Sequence, residues 1–416
     1  ENNRPVKLIS FFSFKDTDKY KYIFASPGIG YNYYDKFMIG ALLHNYTLPS
    51  EKFQFLVAPL YGTGSKAING VAKFNYHWYP TNTFHKVEVG VNGSSFSINH
   101  NLDTTGKKIF ERFRKIVPYV RLYLKESPRS SMERFFDFRT YVITEKSFDN
   151  YDYITGSDSS IIYPKSFTTS TRYINQLTYQ ASNSRVLYPY SYQLQLQQGK
   201  GFYRANVTAD YFFNYAEGGG LSARFFAAKF GFIGSENNAV AYAYQPILLG
   251  ANGDNDYLYN NYFLGRSATN AGSPLVKNSG IAAQQIMVPN TGGLHFRLDE
   301  SVQGISDTWV SSINLNTTLP DKLFPIKIPL KIYFDAGTYA SAWKKGSTQN
   351  RFIYVGGLQL SLFKNVLNIY APLIYSKEFK EYLNTDKNAN KFTRKITFSI
   401  DIQNITMKKL FPQFAL

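Results

Sequence analysis

Five histidines are the residues best suited to hydrolytic chemistry: His44, His77, His85, His100 and His295. No two of them stand three or four positions apart, and no His-Glu-x-x-His occurs. That motif would set two imidazoles and a general base on one helical face, so a helical zinc peptidase site is excluded from this chain. The chain has no cysteine, which removes disulfides, thiolate metal sites and a Cys nucleophile. Gly-x-Ser-x-Gly and Walker loops are absent, and Gly62-Thr63-Gly64-Ser65 reads as a turn. His100 lies near Asp103, but with so many serines a Ser/His/Asp set there is what chance supplies. Each histidine is therefore expected in an ordinary strand or turn. No catalytic, cofactor or metal site is expected in this chain.

Charge is the next candidate for function. Lys and Arg number 46 against 29 Asp and Glu, a formal net charge of +17. Nucleic acid or anionic lipid would suit such a balance. The basic residues are dispersed, however, and a nucleic-acid partner is not expected. The densest group is Lys107, Lys108, Arg112 and Arg114, continued by Lys115 and Arg121, with Arg134 and Arg139 following. One reading makes these the charged ends of two long strands. The other makes them a surface for lipopolysaccharide phosphates, or a basic lining that selects anions. The first is favoured.

The elements that must carry these residues are strands. Tyr and Phe contribute 34 and 35 residues, and mean hydropathy is −0.29. No uninterrupted apolar run approaches the length of a transmembrane helix. Disorder is disfavoured by the many aromatic residues. Over residues 201–215, Tyr203, Ala205, Val207, Ala209, Tyr211, Phe213 and Tyr215 alternate with Arg204, Asn206, Thr208, Asp210 and Asn214. Strands place alternate side chains on opposite faces, so one face is apolar and the other polar. Phe212 breaks the polar row and is expected beneath a loop. The same alternation marks 396–403, 351–364, 326–336, 221–227 and 131–146, and it sets Arg224, Lys327, Lys331 and Asp335 on polar faces. Further strands are expected at 6–15, 20–31, 35–47, 52–63, 68–79, 84–98, 109–125, 170–183, 187–199, 306–318 and 366–376.

Charges alternating with apolar residues over such lengths suit a transmembrane barrel, lipid-facing outside and wet inside. The fold expected is all-β: a closed antiparallel outer-membrane barrel spanning 1–416, with about 16 strands and 14 as the fallback. Arg204, Asn206, Thr208, Asp210, Arg224, Lys327, Lys331 and Asp335 would line its lumen. Lys107, Lys108, Arg112 and Arg114 would touch anionic lipid.

Two stretches interrupt the pattern. Residues 146–170 are rich in Ser, Thr, Tyr and Asp, and 234–304 are rich in Asn, Gly, Ala and Tyr. A loop as long as the second is uncommon unless functional. It is expected either as an extracellular cap or as a plug or docking surface, with a short helix over 279–286. Pro412 cannot join a ladder, so the tail after Asn404 is expected to leave the sheet.

Several segments resemble a known family. They are Tyr22-Ile23-Phe24-Ala25-Ser26-Pro27, Tyr34-Asp35-Lys36-Phe37-Met38-Ile39-Gly40, His44-Asn45-Tyr46 and Ala58-Pro59-Leu60-Tyr61-Gly62. Asp256-Tyr257-Leu258-Tyr259, Gln284-Gln285, Ser311-Ser312-Ile313-Asn314-Leu315-Asn316 and Ile369-Tyr370-Ala371-Pro372 continue the series. Together they resemble the C-terminal outer-membrane barrel region of Bacteroidetes alanyl-aminopeptidase-like (gluzincin) zinc metallopeptidases. The resemblance implies a membrane anchor whose peptidase activity lies in a domain outside this chain. It carries no catalytic residue over. The partners expected are outer-membrane lipid and lipopolysaccharide, and a peptidase domain or envelope complex. The alternative is an outer-membrane pore or transport channel with a polar, partly basic lumen.

Overall fold

The structure is a computed structural model. It describes residues 4–10, 19–47, 50–127, 129–155, 160–216, 218–249, 256–260, 291–296, 304–319, 329–363, 365–385 and 391–400. Their strands belong to one seventeen-stranded, mostly antiparallel sheet. The strands are β1 (Val6–Ser10), β2 (Lys21–Asn32), β3 (Lys36–His44), β4 (Phe53–Gly62), β5 (Ala67–Trp78), β6 (Phe84–Leu102), β7 (Lys108–Leu124), β8 (Met132–Thr155) and β9 (Ser160–Asn183). They continue as β10 (Tyr190–Gly199), β11 (Phe202–Asn214), β12 (Gly220–Phe232), β13 (Trp309–Thr318), β14 (Leu330–Tyr339), β15 (Ile353–Leu362), β16 (Leu367–Tyr375) and β17 (Thr397–Ile400). Among the described residues the α-helices are α1 (Asn238–Tyr244), α2 (Lys377–Thr385) and α3 (Phe392–Lys395).

The strand number exceeds the expected sixteen by one. The extra strand is β1, which pairs parallel with β2, Val6 opposite Lys21 and Ser10 opposite Ala25. Among the described residues the defined registers form two ladders, β1 to β8 and β10 to β17.

The chain divides into two compact units, Glu1–Pro128 with Phe135–Leu177, and Arg129–Arg134 with Thr178–Leu416. The first unit is built on hairpins from β2 to β8. Its two faces invert the usual order of a water-soluble protein. Ile29 is 78% and Ile68 74% exposed, whereas Glu88 is 6% and Asp137 1% exposed. The buried charges are bonded to their neighbours. Glu88 accepts from Tyr119 Oη at 2.6 Å, and Asp137 accepts from Arg121 Nε at 2.7 Å and Arg139 Nη2 at 2.6 Å. Pairing of buried charges is what makes such a face tolerable.

Residues 146–170 correct the sequence expectation. β8 runs on to Thr155 and β9 starts at Ser160, so the polar stretch is strand on both sides of 156–159. A ladder needs only backbone groups, and Thr, Tyr and Ile favour it. Without apolar alternation the sequence loses its signal while the pairing survives.

The second unit holds β10 to β17. β10 and β11 turn tightly through Lys200 and Gly201, whose φ of +83° suits glycine. Phe212 packs over Gly220 rather than under a loop: a Cβ on Gly220 would lie 2.6 Å from its ring. Residues 321–328 and 401–416, including Lys327 and the expected tail, lie outside the described residues, as does the helix expected over 279–286.

Candidate functional site

The polar face of the second unit is not left to solvent. The registers place Arg204 beside Gln197, Arg224 beside Asp210 and Asn314, and Asp335 beside Asn314. Side chains of one parity thus form rows across β10 to β16. Against these rows lie pieces of the long connection between β12 and β13: residues 245–249, 256–260, 291–296 and 304–308.

The pieces first bind one another. Leu294 N donates to Leu248 O at 3.0 Å, Gly292 N to Ile247 O at 2.8 Å, and Leu248 N to Gly304 O at 2.7 Å. These bonds satisfy backbone groups that a buried loop would otherwise leave unpaired. The sheet then grips the segment through side chains. Arg224 donates from Nη1 to Asn314 Oδ1 at 2.9 Å and from Nη2 to the Thr291 carbonyl at 3.0 Å. Asn314 Nδ2 reaches the Gly293 carbonyl at 3.0 Å and Asp335 Oδ1 at 2.9 Å. Ser312 Oγ donates to the Gly292 carbonyl at 2.6 Å. Asp335 Oδ2 accepts from the His295 amide at 3.0 Å and lies 2.7 Å from its Nδ1.

Aromatic and apolar contacts complete the grip. The His295 ring stacks on Tyr370, centroids 3.6 Å apart, and meets Tyr333 edge-on at 5.7 Å. Phe296 stacks on Phe379 of α2 at 4.5 Å. Leu248, Leu294 and Phe296 join a buried cluster with Phe226, Val310, Tyr339, Ile353 and Val355. Gly337 leaves the hollow that Leu248 fills, because a Cβ there would lie 2.8 Å from the leucine Cδ1. Nearby, α1 is capped by Asn237, whose side chain accepts from the amides of Ala239 and Val240. Its Tyr244 stacks on Phe202 at 4.1 Å, and Tyr257 Oη donates to Gln197 Oε1 at 2.5 Å.

The expected lumen-lining residues are therefore split. Arg204, Arg224 and Asp335 meet protein: Arg204 Nη1 lies 3.4 Å from Tyr257 Oη and 3.5 Å from the Tyr244 carbonyl. Asn206 donates to Gln195 at 3.0 Å, and Lys331 to Asn365 at 3.0 Å. Thr208 is half-buried and Asp210 is exposed, accepting from Ser191 Oγ at 3.5 Å. The basic group lies in the first unit. Lys107, Lys108 and Arg114 are exposed, while Arg112 donates to Ile68 O at 2.9 Å and Asn69 Oδ1 at 2.7 Å.

His100 and Asp103 do not share a site. His100 stacks on Phe110 and meets Tyr34 edge-on, while Asp103 accepts from Thr105 and Lys107 in its own turn. The residue that sequence reasoning missed is His295, expected as an ordinary strand or turn residue. The signal that could have found it lies in the strands. Phe226, Phe230, Val310, Ile353 and Val355 occupy polar-face positions, and a wet face would not carry them.

No protein-family model and no curated protein matches the chain. Solved structures similar in fold include BamA from Haemophilus ducreyi lacking POTRA domains 1–3, at TM-score 0.45 and 10% identity over 88% of this chain and 70% of that one. CdiB from Acinetobacter baumannii gives 0.37 and 10%, over 89% and 62%. The ferric enterobactin receptor PfeA in complex with BCV-L6 gives 0.35 and 11%, over 81% and 52%.

Proposed function

We propose that this chain is a transmembrane β-barrel of the bacterial outer membrane that serves as an anchor, its polar interior occupied by its own folded-in segment. The observation that carries the reading is the inversion of faces. Leu196 is 56% and Ile332 45% exposed, while Arg204 is 5% and Asp335 1% exposed. In water that distribution forfeits most of the hydrophobic driving force. In a bilayer it is the favoured one. Lipid also demands that every strand edge be paired, so the sixteen strands from β2 to β17 close on one another.

Anchoring is preferred to open conduction because Thr291–Phe296 and its neighbours cover the face that a pore would wet. The family resemblance makes a zinc peptidase domain the anchored partner. A gated channel is the second reading. It is favoured by the charge beneath the segment, since Arg224 and Asp335 would suit a water-lined face once the segment moved away.

Two measurements test this. Planar-bilayer recording of the full chain is expected to show no steady open current. A large resting conductance would contradict the anchor. The intact mass of the protein extracted from its native membrane is expected to exceed 47.5 kDa by a peptidase domain. A mass of the chain alone would contradict the anchored peptidase.

A further inference from the structure

The apolar face of the second unit is dented near the connection between β9 and β10. A groove of about 450 Å³ opens there between β10 and β13. Its wall is formed by Tyr192, Ala209, Tyr211, Ala223, Phe225 and Ile313. These residues share the outward parity: Tyr192 pairs with Ala209, Ala209 with Phe225, Tyr211 with Ala223, and Phe225 with Ile313. Two adjacent alanines among large aromatics make the dent, since their methyl groups leave space that the neighbouring rings enclose. Ser191, Asp210 and Arg224 also border the groove, although strand alternation aims their side chains toward the opposite face.

The groove has a charged rim. Arg185, in the connection between β9 and β10, is exposed, and its guanidinium sits 5.3 Å over the Tyr190 ring. Its Nε donates to the Tyr188 carbonyl at 2.8 Å, which fixes it there. Tyr188 stacks on Tyr211 and packs against Phe213, so a collar of aromatics surrounds the cation. Such collars mark the headgroup level of a membrane.

We propose that this groove holds an acyl chain of an anionic glycerophospholipid, with the phosphate paired to Arg185. The proposal rests on the membrane reading above. An acyl chain fits because the wall is apolar and faces outward. An anionic headgroup fits because a guanidinium stacked on tyrosine binds phosphate oxygens through two parallel donors. The leaflet follows from the connections of this unit. At the Arg185 end the strands are joined across 184–189, 215–219, 319–329 and 363–366, whereas the other end carries the turn 200–201 and the longer connections 233–308, 340–352 and 376–396. Short turns face the periplasm. The groove therefore opens to the inner leaflet of the outer membrane, where the lipid is phospholipid rather than lipopolysaccharide.

The test uses the full chain in nanodiscs of dioleoylphosphatidylethanolamine with a minor share of dioleoylphosphatidylglycerol, read by native mass spectrometry. The same samples are floated with vesicles of that composition. The wild type is expected to retain phosphatidylglycerol about tenfold over its share, the effect of one strong charge-assisted contact. Arg185→Gln is expected to abolish that preference but keep a bound lipid. Ala223→Phe, which fills the dent, is expected to lose the lipid altogether, and Ala209→Phe to do the same. Retention unchanged in both alanine variants would overturn the proposal. So would equal retention of the two phospholipids by the wild type, or displacement of both by added lipopolysaccharide. Failure of the wild type to float would overturn the membrane reading itself, and the groove with it.

Discussion

His295 and Asp335 meet twice at one carboxylate oxygen: both the backbone amide and the imidazole Nδ1 of His295 address Asp335 Oδ2, at 3.0 and 2.7 Å. The other oxygen of Asp335 accepts from Asn314 at 2.9 Å. One side chain thus ties β13, β14 and the folded-in segment together.

Removing that carboxylate should undock the segment without unravelling the sheet. Asp335→Ala deletes three contacts to a charged acceptor, each worth about 1.5–3 kcal/mol. The expected result is protease cleavage within 291–296 at a rate that the wild type does not show. The strand ladder should persist, seen as unchanged β-sheet circular dichroism.

Gly337→Phe offers a steric route to the same end. Its side chain would occupy the hollow now filled by Leu248. The backbone of β14 keeps its pairings with Val355 and Ile353 on one side and Val310 and Ser312 on the other. In planar bilayers the variant is expected to open a steady current that the wild type lacks. A silent variant that is fully folded would show that the segment is not what closes the polar face.

Phe296 and Phe379 provide an energetic check on the grip. Both are fully buried and their rings are nearly parallel, at 7°. Truncating either to alanine should cost about 3–5 kcal/mol. The double variant should cost less than the sum, with a coupling of about 0.5–1.5 kcal/mol in a denaturant-based cycle. Strict additivity would mean the rings do not pack in solution.

The turn between β6 and β7 gives a pH signature. Asp103 accepts from the Thr105 hydroxyl at 2.6 Å and from the amides of Thr105 and Lys107, both at 2.9 Å. The Thr105 hydroxyl, then the Lys107 amide, hold its carboxyl below the ordinary aspartate value. A lowered folded value means the turn is stabilised above the unfolded value, and the gain is lost as pH falls through the folded one. The Lys107 amide resonance should therefore be flat near neutrality and move only in acid. Asp103→Asn should remove that movement.

Much of this fold was legible in the sequence because period-two alternation survives wherever the two faces of a strand differ in polarity. Gly201–Tyr215 was read as strand and is β11 over Phe202–Asn214. The turn at Phe363-Lys364-Asn365 was legible as well: it separates Leu362 of β15 from Leu367 of β16, with Phe363 and Asn365 at positive φ. Residues 146–170 were not legible, because polar strands pair through backbone groups that leave no hydropathy signal. The site was half legible. Arg204, Arg224 and Asp335 were placed on the polar face correctly, yet their partners come from a segment with no periodicity. His295 gave no sign of itself because its role depends on Tyr370 and Asp335, distant in the chain.

The central claim is that the apolar row faces lipid and the polar row does not. The chain has no cysteine, so single cysteines can be placed along β10 at Tyr192, Gln193, Leu194, Gln195, Leu196 and Gln197 without background labelling. Nitroxide spin labels at these positions, in liposomes, would report collision with oxygen, which concentrates in lipid. The account predicts high oxygen accessibility at 192, 194 and 196 and low values at 193, 195 and 197. Uniformly low oxygen accessibility at all six, with a water-soluble relaxant reaching the even positions, would contradict it.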